Sequence, residues 1–172
     1  ASVRGDTQQA IEKITFAQER IPQDQHLQHA RGYFSLGITH EISGQTELAA
    51  QNYLRASDES QSAGVLSLAI HSLGAAAQVQ INQGQLSQAE QTCLQAIQMA
   101  GGKRLPPLGL AEIILGSIAL ERNDLTAADE FLQNGIVLSR RGGMMDDLIL
   151  GLSYLSRLHA YQGRVSKAFE TA

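Results

Sequence analysis

Apolar side chains recur every three or four residues through most of this chain. A representative set is Leu86, Ala89, Cys93, Ala96 and Ile97, a spacing that lines one face of an α-helix. No run alternates apolar and polar residues with the β-branched enrichment typical of strands. The pattern therefore predicts an all-α protein. We place helices at residues 7–20, 25–42, 46–61, 65–82, 86–99, 108–121, 125–140, 145–161 and 165–172.

Helix-breaking residues return at a fixed interval along the chain. The gaps are 39, 40, 39 and 40 residues between successive markers, which are Gly5, Gly44, Gly84, Asn123 and Gly163. Glycine enters the left-handed conformation that often follows a helix without steric cost, and asparagine is the next best tolerated. A constant period of this size predicts stacked helical hairpins, an α-α superhelix, rather than helices around one central core.

Small residues keep the same phase as the markers. An alanine follows each marker by five positions, at Ala10, Ala49, Ala89, Ala128 and Ala168. Antiparallel helices approach closely only where side chains are short, so we expect the middle three alanines to lie where the helices of a hairpin cross.

These periods divide the sequence into a single repeat domain over residues 1–172. It comprises a partial repeat at 1–22, full repeats at 25–62, 65–100 and 108–141, and a partial repeat at 145–172. Repeat arrays need terminal helices with a polar outer face, and neither end supplies one. We therefore expect the parent protein to continue on both sides, and the unfinished apolar ends to favour self-association.

Charge and composition narrow the range of partners. The net charge is −4, and the 13 Lys and Arg residues are scattered along the chain, whereas a nucleic-acid surface needs concentrated positive charge. No apolar run approaches the roughly 18 residues that span a bilayer. The single Cys93 cannot form an internal disulfide and fits a reducing compartment, so we expect a cytoplasmic protein without direct nucleic-acid or membrane contact.

The repeat spacing resembles the tetratricopeptide signature W-x2-L-G-x2-Y, A-x3-F and A. In the first full repeat, Tyr33, Leu36-Gly37 and His40 are followed by Ala49, Tyr53 and Ala56. The third repeat carries Leu115-Gly116, Ala119, Ala128, Leu132 and Gly135. The chain departs from that signature in having no Trp and a period five or six residues longer than the usual 34.

The amino-acid sequence of the second half resembles that of a narrower family, the helical-repeat region of MalT-like, LuxR-type transcriptional regulators. That resemblance is carried by the segments GLAEIILGSIALERNDLTAADEFLQNGIVLSRRGG and LGLSYLSRLHAYQGRVSKA. It implies a sensor region that takes up a small-molecule effector or a protein partner. Binding would be relayed to neighbouring domains, an NTP-hydrolysing switch domain upstream and a helix-turn-helix domain downstream. No G-x-x-x-x-G-K-[ST] motif occurs, so we expect no nucleotide site of that kind in this chain.

The tetratricopeptide register implies which side chains face a ligand, because the first helix of each pair lines the concave surface in that fold. Those side chains mix aromatic, amide and charged groups, which suits a polar small molecule or a peptide. The residues are Arg31, Phe34, Glu41, His71, Gln78, Asn82, Ser117, Glu121, Tyr154, Arg157 and Tyr161. A solvated face that contacts a neighbouring domain is the alternative interpretation.

Other chemistry is weakly supported by the sequence. His26 and His29 have a helical metal-ligand spacing but lack further ligands, so we expect no metal and no cofactor. Cys93 falls at a packed inter-helix position, where a thiol acts as a small hydrophobe. No carboxylate pairs with a His or Ser in a catalytic spacing, so we predict no enzyme activity and no catalytic residue. The positions that would clamp a peptide's terminal carboxylate hold apolar residues.

The sequence thus favours the sensor region of a LuxR-type regulator. A stand-alone adaptor that binds a partner peptide or helix in its groove is the alternative. A purely structural spacer is a third possibility, which predicts no ligand at all.

Overall fold

The computed structural model describes the backbone of residues 2–171 and the side chains of residues 6–171. The described part is helical and contains no strand. The helices are α1 Ser2–Gln18, α2 His26–Ile42, α3 Thr46–Ser62, α4 Leu66–Asn82, α5 Leu86–Ala100, α6 Gly109–Glu121, α7 Leu125–Gly142, α8 Met145–Tyr161 and α9 Val165–Thr171. A short 3-10 helix, Pro106–Leu108, precedes α6.

The all-α fold and most helix limits are confirmed within one or two residues. The main difference is at the start, where α1 begins at Ser2 and runs through Gly5. Gly5 is therefore not a turn residue, because one glycine costs a helix only about 1 kcal/mol and does not by itself end it. The last predicted helix extends to Ala172, which lies outside the described residues.

The other four turn markers adopt the left-handed backbone that the sequence predicts. The φ angles are 78° at Gly44, 76° at Gly84 and 72° at Gly163, and Asn123 has φ 59°. In each turn the residue after the marker donates its N–H to a carbonyl five residues earlier, at 2.8–2.9 Å. That bond satisfies a carbonyl at the helix end, so each hairpin closes by the same local device.

Consecutive helices pack as antiparallel pairs, and the pairs stack in succession. Besides sequential neighbours, α4 packs on α6, and α6 packs on α8. The buried apolar residues form successive clusters that share these helices rather than one common centre. Ala49, Ala89 and Ala128 are fully buried, as expected for helix crossings.

Two glycines permit especially close approach of helices. A Cβ atom on Gly37 of α2 would lie 2.6 Å from the Tyr53 ring of α3. A Cβ atom on Gly135 of α7 would lie 2.8 Å from the Gly109 carbonyl oxygen of α6. Both positions belong to the tetratricopeptide signature, so the signature residues here fix inter-helix spacing.

Large apolar side chains are exposed near the last helix. They include Tyr161, Val165 and Phe169, each more than half exposed.

Within residues 2–171, none of the helices combines the length and apolar character required to cross a membrane.

Candidate functional site

A groove of about 610 Å³ lies along the first helices of four successive pairs. This volume falls within the range of small-molecule sites. Its walls come from α2, α4, α6 and α8, with one side chain from α3. The lining residues are Phe34, Ile38, Glu41, Tyr53, His71, Ala75, Gln78, Asn82, Leu110, Asp146, Asp147 and Leu150.

One wall of the groove is aromatic. The Phe34 ring lies 5.3 Å from the Tyr53 ring and 5.5 Å from the His71 ring, centroid to centroid, and both pairs are tilted. Ring pairs at such separations are favourable beyond their buried area. Leu110 and Leu150 add aliphatic surface from α6 and α8. The apolar part of a ligand could therefore pack against this wall of the groove.

Glu41 and Tyr53 join α2 to α3 by a hydrogen bond. The Tyr53 hydroxyl donates to Glu41 Oε2 at 2.9 Å. Burial, followed by the adjacent carboxylate, raises the pKa of the Tyr53 phenol well above its usual range. Tyr53 is therefore a neutral donor that orients the Glu41 carboxylate.

His71 of α4 and Asp147 of α8 both line the groove and interact electrostatically. The Nδ1 atom of His71 and the Oδ2 atom of Asp147 are buried and lack a hydrogen-bond partner within the described residues. Burial lowers the pKa of His71, partly opposed by Asp147. Burial also raises the pKa of Asp147, opposed by His71 and reinforced by Asp146. Desolvation outweighs mutual attraction for both groups.

An amide pair completes the polar part of the groove. Gln78 Nε2 donates to Asn82 Oδ1 at 3.3 Å along α4, whereas the buried Gln78 Oε1 atom has no partner in the described structure. Buried polar atoms are normally satisfied. The groove thus presents unsatisfied polar groups from α4 and α8 beside an apolar wall, an arrangement suited to binding a ligand.

The charge in the groove is one-sided. Its carboxyl groups belong to Glu41, Asp146 and Asp147, and among the described side chains no Lys or Arg lines it. The groove therefore favours ligands that donate hydrogen bonds or carry positive charge.

The sequence model of the MalT-like TPR region matches residues 1–172. The chain belongs to this family. Its TPR fold, the tetratricopeptide fold, supports a role as a repeat domain for protein interaction. No curated protein matches the MalT-like chain by sequence.

Solved structures share the fold of this MalT-like region at low sequence identity. BtubC (BKLC) from P. vanneervenii superposes with a TM-score of 0.73 at 17% identity, over 98% of this chain and 71% of that one. The apo form of RapI superposes with a TM-score of 0.74 at 14% identity, over 98% of this chain and 47% of that one. These similarities establish the helical-repeat fold alone.

The MalT-like groove brings together five of the residues that the sequence predicts to face a ligand. These are Phe34, Glu41, His71, Gln78 and Asn82. Arg31 is exposed on α2 and does not line the groove.

Four other predicted residues form a separate surface cluster on α6 and α8. Arg157 Nη2 donates to Glu121 Oε1 at 3.2 Å and to the Tyr161 hydroxyl at 3.4 Å. Its guanidinium carbon lies 5.5 Å from the centroid of the Tyr154 ring. These residues are exposed or partly exposed, and they form an ion-paired, aromatic surface outside the groove.

Replacing Arg157 by alanine should change the free energy of unfolding by less than about 1 kcal/mol, because exposed ion pairs contribute little. Urea denaturation of the variant and the unmodified chain measures this difference. A larger loss would mean that the Arg157 cluster helps to hold the last repeat in place.

Ser117 requires a correction. It is only 3% exposed, and its hydroxyl donates to the Ile114 carbonyl at 2.8 Å within α6. Its hydrogen-bonding capacity is directed into the helix, because α6 is packed on both sides and its middle turn is enclosed. Ser117 is therefore not available to a groove ligand.

Sequence reasoning missed Tyr53, Asp146 and Asp147. The two acids open α8, and their type suggests only favourable charge at a helix N-terminus. A usable signal was nevertheless present, since Asp147 is in helical phase with Gly151, Leu155 and Leu158, the buried stripe of α8. An acid on a buried stripe is a candidate for function.

The histidines of α2 have local partners. His26 Nδ1 lies 2.8 Å from Glu59 Oε2, and His29 Nδ1 lies 3.2 Å from Gln18 Oε1. Within the described part of the chain, no three His, Cys, Asp or Glu side chains come close enough together to hold a metal ion. Cys93 is fully buried, and burial raises the pKa of its thiol, so this sulfur is a packed hydrophobe.

Replacing Asp147 by asparagine should stabilise the fold at pH 7 by about 1 kcal/mol. An unsatisfied buried charge costs about 1–3 kcal/mol, which exceeds the 0.3–1 kcal/mol that a carboxylate typically gains near a helix N-terminus. The folded-state pKa of Asp147 is raised above its ordinary value of 3.8, so its ionisation destabilises the fold as pH rises above that value.

Thermal unfolding at pH 7 and at pH 3.5 tests this prediction. The advantage of Asp147→Asn should be present at pH 7 and much smaller at pH 3.5, because most Asp147 side chains are then protonated in both the folded and the unfolded chain. His71 and Asp146 interact electrostatically with Asp147, so the measured difference between the two proteins includes the change in these two interactions. An equal gain in stability at both pH values would contradict the interpretation of Asp147 as an unsatisfied buried carboxylate.

Proposed function

We propose that this chain is the sensor region of a LuxR-type, MalT-like transcriptional regulator in the cytoplasm. It binds an effector or a partner and relays that binding to an NTPase domain and a helix-turn-helix domain elsewhere in the protein. The observation that carries the proposal is the groove, with its unsatisfied atoms on His71, Gln78 and Asp147. The family match supports the regulatory setting.

The groove offers a physical route for the relay. Its walls belong to α2, α4, α6 and α8, so a bound ligand touches four successive hairpins at once. A ligand that fits one relative arrangement of these hairpins better than another shifts the population toward that arrangement. The shift changes the geometry of the array ends, where neighbouring domains would attach.

The decisive experiment uses the full-length reading frame that encodes this region. We expect a helix-turn-helix region in that frame, and an effector-dependent change in transcription from its target promoter. Replacing Phe34 by alanine should weaken that response at least tenfold, because the ring contacts both Tyr53 and His71 in the groove. Replacing the exposed Leu94 of α5 by alanine is the matched control outside the groove and should leave the response unchanged.

An unchanged effector response after deletion of residues 1–172 would refute the sensor role. A reading frame without a DNA-binding region would instead favour an adaptor that holds a partner segment.

A further inference from the structure

We propose that the groove binds a small organic cation, a protonated amine or guanidine attached to an apolar body, with its charged group beside Asp147. This inference rests on the proposed sensor function and specifies the chemical class of the effector. Three features of the groove support it: an unpartnered buried carboxyl group, uncompensated acidic charge and an aromatic wall.

The carboxyl group of Asp147 is the first feature. Asp147 is 8% exposed and lines the groove, yet its Oδ2 atom has no partner in the described structure. Burying a carboxylate without a partner is costly. An ammonium or guanidinium group would supply both the hydrogen bonds and the opposite charge that this carboxylate lacks.

The surrounding groups reinforce the preference for a cation. Asp146 lies beside Asp147, and Glu41 contributes a further carboxyl group from α2. His71 lines the same groove and interacts electrostatically with Asp147, but burial lowers the pKa of its imidazole, so at pH 7.5 it does not neutralise this charge. The Oε1 atom of Gln78 is another acceptor without a partner. A ligand with several N–H donors can satisfy these oxygens together.

The apolar wall indicates the rest of the ligand. Phe34, Ile38, Leu110 and Leu150 line the same groove as the acids. The volume of about 610 Å³ suits a compact molecule, so we assign the groove to a small cation rather than to a long peptide.

The test compares two probes of nearly equal shape, phenethylamine and 2-phenylethanol, by NMR titration of the 172-residue chain at pH 7.5 and low salt. We expect saturable binding of phenethylamine, with shifts concentrated at Phe34, His71 and Asp147. The alcohol should bind at least tenfold more weakly, because it lacks the positive charge. Equal affinities, or no binding of phenethylamine, would overturn the inference.

Variants separate recognition of charge from folding. Asp147→Asn should weaken phenethylamine binding at least tenfold and leave alcohol binding unchanged, while its unfolding temperature is not lowered. Asp58→Asn is the control that removes one exposed acid on α3, away from the groove, and should bind phenethylamine as the unmodified chain does. Unchanged amine affinity in Asp147→Asn would overturn the inference.

The outcomes also distinguish this inference from the proposed sensor role. If a neutral compound or a peptide saturates the groove and phenethylamine does not, the cation inference fails and the sensor role stands. If the full-length protein responds to its effector without residues 1–172, the sensor role fails, whatever this chain binds.

Discussion

Replacing Leu132 by alanine is expected to lower the free energy of unfolding by about 2–5 kcal/mol. Leu132 is fully buried on α7 and shares a cluster with Leu155 and Leu158 of α8. It also lies directly against Gly116 of α6, where an added Cβ would approach its Cγ atom to 2.7 Å. The truncated side chain would leave a cavity where three helices meet, and these helices cannot all collapse into it.

Urea denaturation followed by circular dichroism measures this loss. Leu94→Ala is the matched control, because Leu94 also lies in a second helix of a pair but is 52% exposed; its cost should stay below about 1 kcal/mol. Because the chain has no Trp, tyrosine fluorescence serves as the second probe. Unfolding is cooperative if the transitions followed by tyrosine fluorescence and by circular dichroism coincide. Comparable losses for the two variants would show that the faces of these helices are wrongly assigned.

Replacing Gly135 by alanine should destabilise the fold by about 2 kcal/mol, although alanine is the better helix former. The new Cβ atom would lie 2.8 Å from the Gly109 carbonyl oxygen and 2.9 Å from the Ile113 amide nitrogen. These are backbone atoms of α6 and cannot rotate away. Overpacking costs about 1–3 kcal/mol, and the gain in helix propensity returns at most about 1 kcal/mol.

Gly32→Ala is the control for Gly135→Ala. Gly32 lies inside α2, and its added Cβ would meet only the end of the flexible Gln18 side chain. Moving Gln18 gives up its two hydrogen bonds with His29, while alanine favours the helix, so we expect the stability of this variant to change by less than about 1 kcal/mol. Thermal unfolding of both variants gives the comparison. A stabilised Gly135→Ala would mean that α6 and α7 separate without loss.

The sequence predicts the fold well because its main signals are local. Apolar spacing locates the helices, and the turn residues Gly44, Gly84, Asn123 and Gly163 adopt the backbone that their chemistry favours. The same local rule gives the wrong result at Gly5, which α1 includes. A glycine marks a turn only when the residues after it start a new helix, and one residue type does not carry that information.

The site is less predictable because it depends on how hairpins stack. Helical register alone places Phe34, His71 and Gln78 on one side of the array, because α2 and α4 are the first helices of successive pairs. It does not reveal that Tyr53 reaches the groove from α3 or that the first turn of α8 lines the same groove as α4. It also places Ser117 at the surface, because it does not account for the helices packed around α6.

No single hairpin forms the groove, because its walls come from the first helices of four successive pairs. Removing one unit of about 40 residues would shorten the rod yet leave its neighbours a compatible stacking surface. We expect such a shortened protein to keep its helicity and to lose this groove. The number of repeats in this architecture therefore determines whether the groove is complete, as well as how long the array is.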